Sequence, residues 1–137
     1  MESRYRILVA EDESIIAMDL KNCLTRMGYD VTSVVNNALE AIQKTEEEKP
    51  DIILMDILLA GLLDGIEAAK IISYKHNVPI IYLSALNDEQ TINRANINPY
   101  CMFIRKPYRE YDLKNAIEIM LTRSLELNRN MPPSTWG

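Results

Sequence analysis

Five short apolar segments constrain the fold of this 137-residue chain more than any other feature. Four are unbroken by polar residues: Ile7-Leu8-Val9-Ala10, Ile52-Ile53-Leu54-Met55, Ile80-Ile81-Tyr82-Leu83 and Met102-Phe103-Ile104. A strand with one wet face alternates apolar and polar side chains, whereas a strand covered on both faces reads as a continuous apolar run. These four therefore read as strands of a parallel sheet buried between helices. The fifth, Val31 to Val35, mixes Thr32 and Ser33 with valines and suits an edge strand.

Helical patterns separate the runs. Ile16, Leu20, Cys23, Leu24 and Met27 recur at three-to-four spacing over Ser14 to Met27, and Gly28 follows as a C-terminal stop. A second helix is expected over Ala38 to Glu48, ending before Pro50. A third is expected over Gly65 to His76, with Ile66, Ala69 and Ile72 inward. A short fourth starts near Asp88, and a last starts near Tyr108 and carries Leu113, Ala116, Ile117, Met120 and Leu121. Strand and helix alternate five times. That order specifies an α/β fold, a (βα)5 doubly wound parallel sheet with helices on both faces and right-handed crossovers.

Charge and composition narrow the function. Fifteen Lys and Arg against twenty Asp and Glu leave a net charge of −5, which argues against a nucleic-acid-binding surface. Cys23 and Cys101 are too far apart for a metal or redox motif and read as buried free thiols in a reducing compartment. No run is long enough for a signal peptide or a membrane span, so a cytoplasmic location is expected. One domain is expected over residues 4–127, and residues 128–137, with Pro132, Pro133 and the lone Trp136, read as a flexible tail.

Function gathers at the carboxyl ends of the strands in an open parallel sheet. Glu11, Asp12 and Glu13 follow the first strand, Asp56 the third, Ser84 the fourth, and Lys106 with Pro107 the fifth. Glu11, Asp12 and Asp56 would repel one another in a confined cleft, and a hard divalent cation such as Mg²⁺ relieves that repulsion. Lys106 can pair with a carboxylate or a phosphate, and Ser84 can donate to a phosphoryl oxygen. Asp56, expected at the sheet centre, suits a nucleophile that forms an aspartyl phosphate, with Glu11 and Asp12 as metal ligands.

The motifs ILVAEDE, LMDI, DGIEAA, PIIYLSA and IRKPY together resemble the receiver domain of two-component response regulators, over about residues 4–127. The resemblance implies a flavodoxin-like sheet of strand order 2-1-3-4-5. It implies Asp56 as phosphoacceptor, Mg²⁺ on Glu11, Asp12, Asp56 and the backbone carbonyl of Leu58, Lys106 on the phosphate, and a cis Lys106-Pro107 bond. Ser84 and Phe103 would form the switch, with Phe103 biased inward because it lacks a hydroxyl. The implied donor is a sensor histidine kinase or phosphotransfer protein. The implied output is a changed surface of the fourth helix, fifth strand and fifth helix, which binds a downstream protein or a second copy of the chain. Such a protein is a regulator that supports its own phosphorylation and dephosphorylation, not a turnover enzyme.

Some positions depart from the common pattern. Ala60 stands where many receivers carry proline, and the Asp64-Gly65 pair falls eight residues past Asp56. Leu58, Leu59, Leu62 and Leu63 crowd the intervening loop and are expected to pack partly against the third helix. Leu58 and Leu86 cannot hold a hydrolytic water, so slow loss of phosphate is expected. His76 is expected on the surface at the rim opposite Asp56, and Glu46 to Glu48 as a solvated helix end. Only ten residues follow Leu127, so a stand-alone receiver is expected. The alternatives are a fragment of a longer regulator or hybrid kinase and a binding module independent of phosphorylation.

Overall fold

A computed structural model describes residues 4–85, 89–95 and 99–130. Strands β1 (Arg6–Ala10), β2 (Asp30–Val35), β3 (Ile52–Asp56), β4 (Ile80–Ser84) and β5 (Cys101–Arg105) alternate with helices α1 (Ser14–Arg26), α2 (Ala38–Glu48), α3 (Gly65–Lys75), α4 (Glu89–Ala95) and α5 (Glu110–Asn130). The five strands form one parallel sheet in the order β2-β1-β3-β4-β5. This is the flavodoxin-like arrangement, and it puts β3 at the centre.

Successive residues of a strand point to opposite faces, so each buried strand feeds two cores. Leu8, Ile53, Met55, Ile80 and Tyr82 join Ala41, Ile66, Ala69 and Ile72 under α2 and α3. Ile7, Val9, Leu54, Ile81 and Leu83 join Leu20, Leu24, Leu113, Ile117 and Met120 under α1 and α5. The periodic residues of α3 and α5 named from the sequence are all buried. In α1 the inward stripe includes Ala17, while Ile16 and Met27 are half-buried.

Local signals set the element ends. Gly28 follows α1 with φ of 96°, a left-handed conformation that suits glycine. The Asn37 side chain accepts the Glu40 amide at 2.9 Å and caps α2, which closes at Lys49, before Pro50. Asp64 and Glu67 form a reciprocal capping box at the start of α3. The sequence carries the Asp-x-x-Glu signature of such a cap at Asp64 to Glu67.

The structure alters several expectations. The unbroken run Met102-Phe103-Ile104 resembles the buried ones in sequence, yet β5 is an edge strand in which all three are only half-buried. Helix α5 continues to Asn130, past the expected domain end at 127, and residues 131–137, including Trp136, lie outside the described residues. The acidic run closing α2 is engaged, not merely solvated. Glu46 pairs with His76 at 3.1 Å and Lys75 at 3.6 Å, Glu47 pairs with Lys44, and Glu48 accepts the Ser33 hydroxyl at 2.6 Å. His76 does close α3 away from Asp56, but it is partly sheltered and tied to α2.

Candidate functional site

The central strands end at one rim and deliver chemically competent groups there. Glu11 directly follows β1 and is buried, its exposure only 3%. Its Oε2 accepts the Glu13 amide at 3.2 Å. Asp12 follows and is exposed. Asp56 is the last residue of β3 and is buried among the strand ends, with its Oδ1 accepting the Leu58 amide at 3.1 Å. One carboxylate oxygen from each of Glu11, Asp12 and Asp56 lies within 4.8 Å of the others.

Lys106 reaches this cluster from beyond β5. Its Nζ is 3.2 Å from Glu11 Oε1 and 3.7 Å from Asp56 Oδ2. The backbone holds it in place: the Lys106 amide donates to the Ser84 carbonyl at 2.9 Å, and Lys106-Pro107 is cis. Ser84 ends β4 and is buried. Phe103 lies on the face that carries Tyr82, directly beside it in the β4–β5 register, and packs half-buried against the core. It is not turned out to solvent.

The electrostatics follow from this crowding. Burial and the neighbouring Glu11 charge push the Asp56 carboxyl up to about 6, with Lys106 acting in the opposite sense. One ammonium serves two buried carboxylates, and a third carboxylate stands at the mouth. That donor set suits a hard divalent cation, which prefers carboxylate oxygens and retains sites for water or phosphate.

The loop from Asp56 to α3 shapes the mouth. The Gly65 amide donates to the Ile57 carbonyl at 2.8 Å, and a Cβ at Gly65 would lie 2.1 Å from the Asp56 carbonyl oxygen. Gly61 has φ of 107°, a turn that glycine supplies where proline was missing. The four leucines divide. Leu59 is buried and Leu63 packs against the core, while Leu58 and Leu62 are exposed, Leu62 at 96%. Packing against the third helix thus accounts for only half of them. Ala60 bridges to Asn37, and a groove of about 570 Å³ runs beside Asp12 between Leu39 and Leu62. Leu86 lies outside the described residues.

This fold and rim define a response regulator receiver domain, and residues 7–118 match the family model of that description; the chain belongs to this family. It is 35% identical over 122 residues to the transcriptional regulatory protein PdtaR of Mycobacterium tuberculosis, covering 89% of this chain and 59% of that protein. The chain thus spans less than two thirds of that relative's length. It is also 35% identical to the chemotaxis protein CheY of Thermotoga maritima, over 82% of this chain and 93% of CheY. Among solved structures, it resembles the signal receiver domain of a modulated diguanylate cyclase from Desulfovibrio desulfuricans G20. That match has a TM-score of 0.81 and 35% identity, over 90% of this chain and 99% of that one. A two-component response regulator from Clostridium difficile gives a TM-score of 0.80 at 27% identity, over 88% and 98% of the two chains. No helix among the described residues is long and apolar enough to cross a membrane.

Proposed function

We propose that this chain accepts a phosphoryl group on Asp56 from a histidine kinase or phosphotransfer protein and uses the modified state to control a partner protein. The observation that carries this reading is the convergence of buried Asp56 with Glu11, Asp12 and Lys106 at one rim. Glu11, Asp12, Asp56 and the Leu58 carbonyl would hold Mg²⁺. When bound, the cation supplies charge neutralisation for an incoming phosphoryl group.

The chain's own residues do the rest. An Asp56 carboxylate oxygen attacks phosphorus in line, and an oxygen–phosphorus bond forms as the bond to the donor nitrogen breaks. The donor imidazole retains that electron pair. The Leu58 amide holds one Asp56 oxygen and thereby fixes the attack direction. Lys106, shared between Glu11 and Asp56 beforehand, turns to the phosphate and balances its charge. Ser84 donates its hydroxyl to a phosphoryl oxygen. Its movement frees space for Phe103, and the surface of α4, β5 and α5 changes. A preference of a few kcal/mol for the altered arrangement suffices. Control of a partner or of self-association through that surface, a cytoplasmic setting and action as a stand-alone regulator belong to the same proposal.

Acetyl phosphate with Mg²⁺ provides the test. Intact-mass measurement should show one added phosphoryl group that is lost in Asp56→Ala and in chelator. An unmodified wild-type chain would refute phosphoacceptor function and favour a binding module that works without phosphate.

A further inference from the structure

Asp64 uses its two carboxylate oxygens on two different helices. Oδ1 accepts the Glu67 amide at 2.8 Å and caps α3. Oδ2 accepts from Arg94 Nη2 at 3.0 Å, and Arg94 sits in the last turn of α4. One side chain therefore joins the two helices that follow the phosphoacceptor strand.

The α3 end of this link is joined to the phosphoacceptor strand. Gly65 follows Asp64 and rests directly on the backbone of Asp56 and Ile57, bonded to Ile57 and leaving no room for a Cβ. Segment 57–64 therefore starts at the proposed phosphoacceptor and returns to it. Asp64, the last residue of that segment, is thus tied through the backbone to the rim.

The α4 end has little apolar anchorage among the described residues. Within this seven-residue helix the buried residues are Thr91 and Ala95. Both are small, and apolar stabilisation scales with the area removed from water. By contrast α5 buries Leu113, Ile117 and Met120 completely. A partly sheltered ion pair, with side chains 39% and 27% exposed, adds a polar tie between α4 and the start of α3.

We propose that Arg94 is a positioning residue that couples the Asp56 rim to α4 through the second oxygen of Asp64. With the pair intact, movement of segment 57–64 is transmitted to α4, and the position of α4 feeds back on the rim, because such coupling is reciprocal. Without it, the rim fills and α4 keeps its place. This inference rests on the reading of the rim as a phosphoacceptor site.

Hydrogen exchange read by mass spectrometry on the full chain, with and without beryllofluoride and Mg²⁺, tests it. In the wild type, protection should change both in segment 57–64 and in α4. In Arg94→Gln the change in 57–64 should remain while that in α4 falls roughly threefold or more, the scale expected for loss of a half-exposed pair. Arg94→Lys keeps the charge and should retain more of the α4 response than Arg94→Gln. Asp64→Asn keeps a capping side chain and should behave as Arg94→Gln does, and the double variant should be no worse than either single one. An undiminished α4 response in Arg94→Gln overturns the inference and leaves the proposed function standing. So does loss of both responses together, which would mark a general structural defect. A wild type that responds in neither segment overturns the proposed function and the inference with it.

Discussion

Replacing Gly65 by alanine adds one methyl group at the point where α3 meets the phosphoacceptor strand. Two effects oppose each other. Alanine favours a helix over glycine by up to about 1 kcal/mol. Against this, the new Cβ would stand 2.1 Å from the Asp56 carbonyl oxygen and 3.0 Å from both the Asp56 carbonyl carbon and the Ile57 Cα. All three are backbone atoms, so no side-chain rotation relieves the contact, and the helix start or the strand end must retreat by roughly an ångström to reach ordinary separation. Overpacking of this kind costs about 1–3 kcal/mol, and a rigid backbone neighbour puts Gly65 at the upper end. The retreat also stretches the 2.8 Å bond from the Gly65 amide to Ile57, worth about 1 kcal/mol net. The balance is a loss of about 3 kcal/mol, a large fraction of the ~5–15 kcal/mol of a typical domain. Urea unfolding followed by circular dichroism should show a lower midpoint at unchanged slope. Phosphorylation by acetyl phosphate should slow by about a hundredfold, the usual effect of an ångström misplacement of a reacting group. Stability within about 0.5 kcal/mol of wild type would refute the steric argument, and an unchanged rate would refute the claim that the α3 start positions Asp56.

Further outcomes follow from the same geometry. Because the Asp56 carboxyl titrates near 6 in the folded chain and near 3.8 otherwise, its favourable contribution is complete below about pH 4 and is lost as pH rises through 6. In chelator, Asp56→Asn should therefore be more stable than wild type at pH 7 by about 1–3 kcal/mol and gain little at pH 4; melting temperatures that differ equally at both values would contradict this. Leu59→Ala should cost about 2–4 kcal/mol, whereas Leu62→Ser, at a side chain 96% exposed, should stay within about 0.5 kcal/mol in the same denaturation assay. Phosphate loss from Asp56 should be slow because Leu58 offers no hydrogen bond to a hydrolytic water. A half-life of seconds by mass measurement would exclude this, and Leu58→Asn should change the rate.

The legible parts of this chain are those with short-range physical causes. Continuous apolar runs announced β1, β3 and β4 because both faces of the sheet are covered, and the alternation of elements then fixed where the strands end. Glu11, Asp56, Ser84 and Lys106 could be assigned to one rim for that reason alone. The order of the strands came from family likeness, since periodicity does not encode which strand lies beside which. Less visible were contacts that depend on tertiary placement. Asp64 reaches Arg94 and Glu46 reaches His76 across thirty positions, and Arg26 reaches Glu110 across 84. The division of the loop leucines was hidden too, because Leu59 and Leu62 are chemically the same and differ only in the direction the chain turns around Gly61.

The two-layer core gives the chain a built-in pair of reporters. Cys23 belongs to the layer under α1 and α5, and Cys101 to the layer beneath α2, α3 and α4. Both are buried free thiols, and burial holds both above the ordinary thiol range, Cys23 at about 11 with Glu110 adding to the effect. Neither offers much thiolate while the core is closed. Timed alkylation would then record the opening of each side of the sheet separately, with no label introduced. Comparing the two clocks would show whether the molecule loosens as one body or one face at a time.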